Sequence, residues 1–162
     1  MTAHILLIDD NSGFLQSIHQ NLTLHGIEID TATSWDEGVA KFRVGLHELV
    51  IADYNLPGSK HGLRLLAKIK PLRPSSELIL ISGAITSVPE RKIIISGLVD
   101  EYYPKSGRLP EILVGKAKAA LERATLQTNW TNAARAHVAG YEIDEKKLDE
   151  IDQLLKNNIK SE

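Results

Sequence analysis

Cysteine is absent from the 162 residues. That absence removes disulfide frameworks, thiolate metal sites, redox sensing and cysteine nucleophiles together, and it fits a reducing cytoplasm. Long hydrophobic runs are missing as well. No stretch approaches the ~20 apolar residues that span a bilayer, and residues 1–8 hold no basic patch ahead of an apolar run, which argues against membrane insertion and secretion. Nor does either sign of charge dominate: 19 Lys and Arg stand against 21 Asp and Glu, for a formal net charge of −2. Affinity for a nucleic-acid backbone comes from clustered Lys and Arg that release counterions, and this balance leaves no such footprint. What is present is a chain 43% hydrophobic and 25% charged, the composition of a soluble globular protein. Its length suits one domain of ~100–150 residues with an appendage.

Apolar runs of strand length recur at residues 4–8, 27–31, 49–52, 78–82 and 99–103. Three of them are apolar on consecutive positions, as parallel strands covered on both faces are. Helix-length stretches lie between. The first helix starts after Asn11 or Ser12, carries a stripe of Phe14, Leu15, Ile18 and Leu22, and ends at His25 and Gly26. The second starts at Ser34, three residues before Glu37 in a capping-box spacing, and ends near Gly45. A third runs from about Gly62 to Lys70 and is closed by Pro71; a fourth runs from about Pro89 to Gly97; a fifth follows Pro110 and reaches about Arg123. Alternating strands and helices with right-handed crossovers predict a doubly wound α/β fold, its five parallel strands in the order 2-1-3-4-5 and flanked by five helices.

Ligands of such sheets bind beyond the carboxyl ends of the strands. That rule selects Asp9 and Asp10 after the first strand, Asp53 after the third, Ser82 after the fourth and Lys105 beyond the fifth. Converging carboxylates repel one another, and a hard divalent cation with oxygen ligands relieves them, so Mg²⁺ (or Mn²⁺) is the expected cofactor. A lysine beside them suits a phosphate oxygen, and Ser82 adds a hydroxyl donor. The chemistry that fits is attack of a carboxylate on phosphorus to give an acyl phosphate, with Asp53 as nucleophile.

These residues resemble the receiver domains of two-component response regulators. Residues 5–11 (ILLIDDN) are similar to that family's opening strand with its acidic pair, and residues 50–58 (VIADYNLPG) to its phosphorylation strand and loop. Residues 79–83 (ILISG) are similar to the strand with the switch hydroxyl, and residues 100–105 (DEYYPK) to the strand with the switch aromatic and the lysine. The resemblance spans residues 3–124 in order. It implies Asp53 as phosphoacceptor, Asp10 as direct metal ligand, Asp9 as a mainly water-mediated one and Asn55 as a main-chain carbonyl ligand. It further implies that Ser82 and Lys105 bind the phosphoryl oxygens and that Tyr102 is the switch aromatic, with Tyr103 facing the other way. The donor would be a sensor histidine kinase or a histidine phosphotransfer protein. Output would pass through the face of helix four, strand five and helix five, or through the tail. Ser106 departs from the family, which commonly places a proline after the lysine; here Pro104 precedes it. Ala84, two residues beyond Ser82, is small and leaves the site open to water.

Taken singly, an Asp at a strand end is usually a turn or cap residue; the joint pattern reverses that reading. The six histidines form no i, i+4 metal pair and are expected at surface or capping positions, and His137 lacks the basic neighbour of a phosphotransfer motif. The run of Ile93, Ile94 and Ile95 exceeds what an exposed helix face needs. Residues 1–124 are expected to form the receiver and 125–162 a helical extension. Leu148, Ile151, Leu154, Leu155 and Ile159 recur at helical spacing and predict a final amphipathic helix over 144–159. Residues 129–135 resemble the middle of an inversion-stimulation helix-turn-helix, which would make the chain a small DNA-binding transcription regulator. The following helix is acidic where base-reading side chains would be needed, so DNA is not the expected partner. A metal-dependent phosphohydrolase would want an acid two residues after Asp53, where Asn55 stands, and a flavodoxin-like carrier lacks its phosphate loop.

Overall fold

A computed structural model describes residues 5–58, 61–83 and 97–139, the last nine without their side chains. Its elements in chain order are β1 (Ile5–Ile8), α1 (Ser12–Leu24), β2 (Asp30–Ala32), α2 (Trp35–Val44), β3 (Leu49–Asp53) and α3 (Gly62–Ile69). A 3₁₀ turn (Lys70–Leu72), β4 (Glu77–Ser82), β5 (Glu101–Pro104) and α4 (Leu109–Ala139) follow. All strands pair in parallel, in the order β2-β1-β3-β4-β5. This is the expected fold.

Local chemistry explains most boundaries. Asn11 opens α1 by accepting the Phe14 N–H through its side chain at 3.0 Å. Gly26, at φ 71°, closes the helix. Around it the Ile27 and Gly26 N–H groups return to the carbonyls of Leu22 and Thr23, a Schellman arrangement that leaves Ile27 in the turn. Hence β2 begins only at Asp30, three residues later than the sequence pattern suggests. Ser34 caps α2, accepting the Glu37 N–H at 3.3 Å, but the return bond of a capping box is displaced: the Glu37 carboxylate accepts the Thr33 N–H at 2.8 Å. That bond, with the neighbouring Lys41, lowers the Glu37 pKa. Pro71 does not stop the third helix cleanly, because a 3₁₀ turn absorbs it. β5 begins two residues late: the Asp100 N–H still donates to the Leu78 carbonyl at 2.8 Å, but the Leu78 N–H goes to the Asp100 carboxylate at 2.7 Å in place of a strand carbonyl.

The two sheet faces carry separate cores. Ile5, Leu7, Ile51, Ile79 and Ile81 face Leu15, Ile18 and Leu22 of α1 and Leu113, Ala117 and Ala120 of α4. Leu6, Ile8, Val50, Ala52 and Leu80 face Val39 and Phe42 of α2 and Leu65, Leu66 and Ile69 of α3. Tyr103 packs on the first core and Tyr102 on the second, so the two rings do face opposite ways.

Two expectations need correction. Of the histidines placed at surface or caps, His47 is fully buried: its Nε2 lies 2.9 Å from Asp30 Oδ2 and its ring stacks on Phe42. The helix expected to end near Arg123 continues to Ala139, because residues 124–139 contain neither glycine nor proline to stop it. The chain divides into two units, Met1–Thr125 and Leu126–Glu162. The expected helix at 89–97, its isoleucine run and the expected tail helix at 144–159 lie outside the described residues, save Gly97.

Candidate functional site

Sheet register brings the strand ends to one level. Ile8 stands opposite Ala52, Asp53 opposite Ile81, and Ser82 opposite Pro104. The next residues along these strands therefore gather at one edge. Asp9 is tied there by its N–H to the Ala32 carbonyl at 3.0 Å, and Lys105 by its N–H to the Ser82 carbonyl at 2.8 Å. The Asp9 carboxylate is braced from below, since its Oδ1 accepts the Asn11 N–H at 2.9 Å.

Asp9, Asp10 and Asp53 each offer a carboxylate oxygen within 4.8 Å of the others. Asp9 and Asp53 are buried at 0% and 4% exposure, whereas Asp10 is open to solvent. Lys105 Nζ reaches 2.5 Å from Asp9 Oδ2 and 3.3 Å from Asp53 Oδ1. Both buried oxygens therefore share the one ammonium. Burial pushes the Asp53 pKa above the usual carboxylate range; Asp9 and, more weakly, Asp10 add to the rise, and the Lys105 charge opposes it.

An all-oxygen donor set with two buried carboxylates that share a single ammonium and a third carboxylate facing water suits a hard divalent cation such as Mg²⁺ or Mn²⁺. Asn55 lies exposed two residues past Asp53, and Ser82 is buried at the end of β4. Tyr102, half-buried, pairs with Leu80 in the sheet register. Of the seven residues selected from sequence, the structure draws four into one cluster, Asp9, Asp10, Asp53 and Lys105. Ser82 adjoins them through the strand pairing, while Asn55 and Tyr102 flank.

Sequence reasoning missed four supporting residues. Gly62 starts α3 directly against the end of β3: an added Cβ would lie 1.9 Å from the Asp53 carbonyl oxygen. Its N–H donates to the Tyr54 carbonyl at 2.9 Å, and the Tyr54 ring stacks on His61 with centroids 5.2 Å apart. Phe14, read from its spacing as a core residue only, places its ring 4.4 Å from Lys105 Nζ. A glycine opening the helix after an acidic strand end was a readable signal; the two ring contacts join segments too far apart for local pattern to reveal.

Comparison with known proteins points one way. A sequence model of the response regulator receiver domain matches residues 5–114. The phosphate regulon transcriptional regulatory protein PhoB of Rhizobium meliloti is 31% identical over 127 residues, 76% of this chain and 54% of that protein. The cell cycle transcriptional regulator CtrA of Caulobacter vibrioides is 23% identical over 160 residues, covering 89% of this chain and 68% of that one. The chain spans 54% of the PhoB relative and only 19% of the transcriptional regulatory protein GlrR of Escherichia coli. Among solved structures, a CheY-like response regulator receiver domain from Methanospirillum hungatei superposes with a TM-score of 0.66 at 29% identity, over 78% of this chain and 99% of that one.

Proposed function

This chain belongs to the receiver domain family of two-component response regulators, and we propose that Asp53 is its phosphoacceptor, charged from a phosphohistidine on a sensor histidine kinase or a histidine phosphotransfer protein. The observation that carries the reading is the buried Asp53 carboxylate set between Asp9, Asp10 and the Lys105 ammonium. In the transfer an Asp53 carboxylate oxygen forms a bond to phosphorus as the donor's N–P bond breaks, and the imidazole nitrogen keeps the electron pair. Asp53 must be ionised to attack, against a burial that favours its protonated form; Lys105 supplies part of the opposing charge. Asp10 and Asp53 would hold Mg²⁺ (or Mn²⁺) directly, Asp9 through water, and Asn55 through its main-chain carbonyl. When bound, the cation offsets the clustered negative charge that would otherwise repel an anionic donor. Ser82 and Lys105 take the phosphoryl oxygens, and inward rotation of Tyr102 follows the Ser82 hydroxyl.

The product is a switched binding surface in a cytoplasmic signalling module, not turnover of a free substrate. Residues 1–124 are the receiver and 125–162 an extension; output passes to a protein partner or a second copy through the β5 and α4 face or the tail. The transcriptional regulators among the relatives favour a second reading, DNA binding through residues 125–162, which tight, sequence-specific binding of a duplex would promote.

Acetyl phosphate with Mg²⁺ should add one phosphoryl group that hydroxylamine removes, and Asp53→Asn should abolish it. Undiminished labelling in that variant would refute the assignment.

A further inference from the structure

Lysine carries its charge on a flexible four-carbon stem, so a lysine that must meet a transferring phosphoryl group needs something to hold its ammonium in place. The proline that commonly follows this lysine in the family is replaced here by Ser106. The main chain at Lys105 is held by its N–H to the Ser82 carbonyl, and the Ser106 N–H turns back to the Pro104 carbonyl at 2.8 Å. Neither bond fixes the side chain. Asp9 and Asp53 attract the ammonium, but once a cation and a phosphoryl group alter the charge between them, that attraction no longer defines one position.

We infer that Phe14 is a positioning residue that sets the Lys105 ammonium at the edge of the site, an inference that rests on Asp53 being the phosphoacceptor. Its half-buried ring lies 4.4 Å from Nζ, within cation–π range. The ring is not free to drift, because it packs against the first core; its main chain is tied to the site as well, since the Phe14 N–H is held by the Asn11 side chain and the Asn11 N–H donates to Asp9 Oδ1. Asp9 Oδ2 closes the circuit on Lys105. The N-terminal cap of α1, one acidic side chain, the ring and the lysine thus form a closed loop of contacts. A Cβ at Gly83 would lie 3.6 Å from Lys105 Cδ, so the strand end at Gly83 also borders the lysine stem. A ring contact does not depend on the net charge of the carboxylates, so it persists when they are neutralised.

The test uses the full chain with Phe14→Leu, which keeps an apolar side chain against the first core, and Phe14→Tyr, which keeps the ring. In the NMR spectrum the ε-methylene protons of Lys105, assigned by their loss in Lys105→Arg, should be shifted upfield by the ring current in the wild type and in Phe14→Tyr, and return to ordinary values in Phe14→Leu. With acetyl phosphate and Mg²⁺, Phe14→Leu should label Asp53 roughly three- to tenfold more slowly at saturating donor, as loss of a cation–π contact implies, and Phe14→Tyr within about twofold of wild type on the same scale. A wild-type spectrum without the upfield shift overturns the inference even if Phe14→Leu fails to fold. So does a Phe14→Leu protein that labels at the wild-type rate, or a Phe14→Tyr protein as slow as Phe14→Leu. If the wild type takes no label at all, the phosphoacceptor reading has failed instead, and the spectrum shows whether the ring holds the lysine.

Discussion

Replacing Gly62 by alanine should be costly, and the structure gives the scale. The new Cβ would lie 1.9 Å from the Asp53 carbonyl oxygen and 2.8 Å from its carbonyl carbon. Both are backbone atoms of a buried central strand, so no side chain can swing aside. Reaching an ordinary contact of ~3.5 Å requires the start of α3 and the end of β3 to separate by about 1.5 Å. Overpacking of this kind costs ~1–3 kcal/mol, and the separation also endangers the Gly62 N–H bond to Tyr54, worth about 1 kcal/mol. The helix-propensity gain of an alanine, at most ~1 kcal/mol, opposes only part of this. A net loss of about 1–3 kcal/mol should lower the urea midpoint by roughly 1 M at the middle of that range, given slopes of ~1–3 kcal/mol/M. Gly115 provides the control: it is exposed within α4 and nothing lies within 4 Å of an added Cβ. There the same substitution should stabilise by ~0.5–1 kcal/mol. The two midpoints must move in opposite directions. A Gly62→Ala midpoint at or above the wild-type value would refute the close approach of α3 to β3.

Asp53→Asn should stabilise the metal-free protein at neutral pH, because burial and Asp9 raise the Asp53 pKa in the folded state. A raised pKa means that stability from Asp53 is fully present below its unfolded value of 3.8 and is lost as pH rises through the folded value. The advantage of Asn in thermal melts should therefore vanish in acid; a constant difference from pH 3 to 8 would contradict it. Glu37 has the opposite sign: its lowered pKa makes its contribution present above 4.5 and lost as pH falls through the folded value, so Glu37→Gln should destabilise at pH 7 and matter least in acid. Ser34→Ala removes the acceptor for the Glu37 N–H and should cost ~0.5–2 kcal/mol by urea titration. Added Mg²⁺ should raise the melting temperature of the wild type, and Asp10→Asn should weaken that response while leaving the metal-free melt little changed, because Asp10 is exposed.

The strands and caps were legible because each is governed by neighbours in sequence. Asn11 and Ser34 do cap the helices expected of them, and the consecutive apolar runs became β1, β3 and β4. The acidic cluster and its lysine were legible for a different reason: a parallel α/β sheet fixes where strand ends meet, so topology brought four separate positions into one cluster. Residues whose environment depends on a distant partner were not. His47 is buried because Asp30, seventeen residues earlier, and Phe42 receive it, and nothing around it in sequence says so. The start of β2 slipped because a Schellman turn took Ile27, and that of β5 because Asp100 bonds through its side chain.

The face that α4 turns to the sheet runs from leucine to alanine: Leu109 and Leu113, then Ala117 and Ala120, all buried. Leucines lock a helix by interdigitating, and a shifted neighbour can be accommodated by changing rotamer. Alanine has no rotamer to change. Along that stretch the joint behaves like a plain bearing in place of a gear, so the helix can slide over the sheet where interlocked leucines would hold it in register.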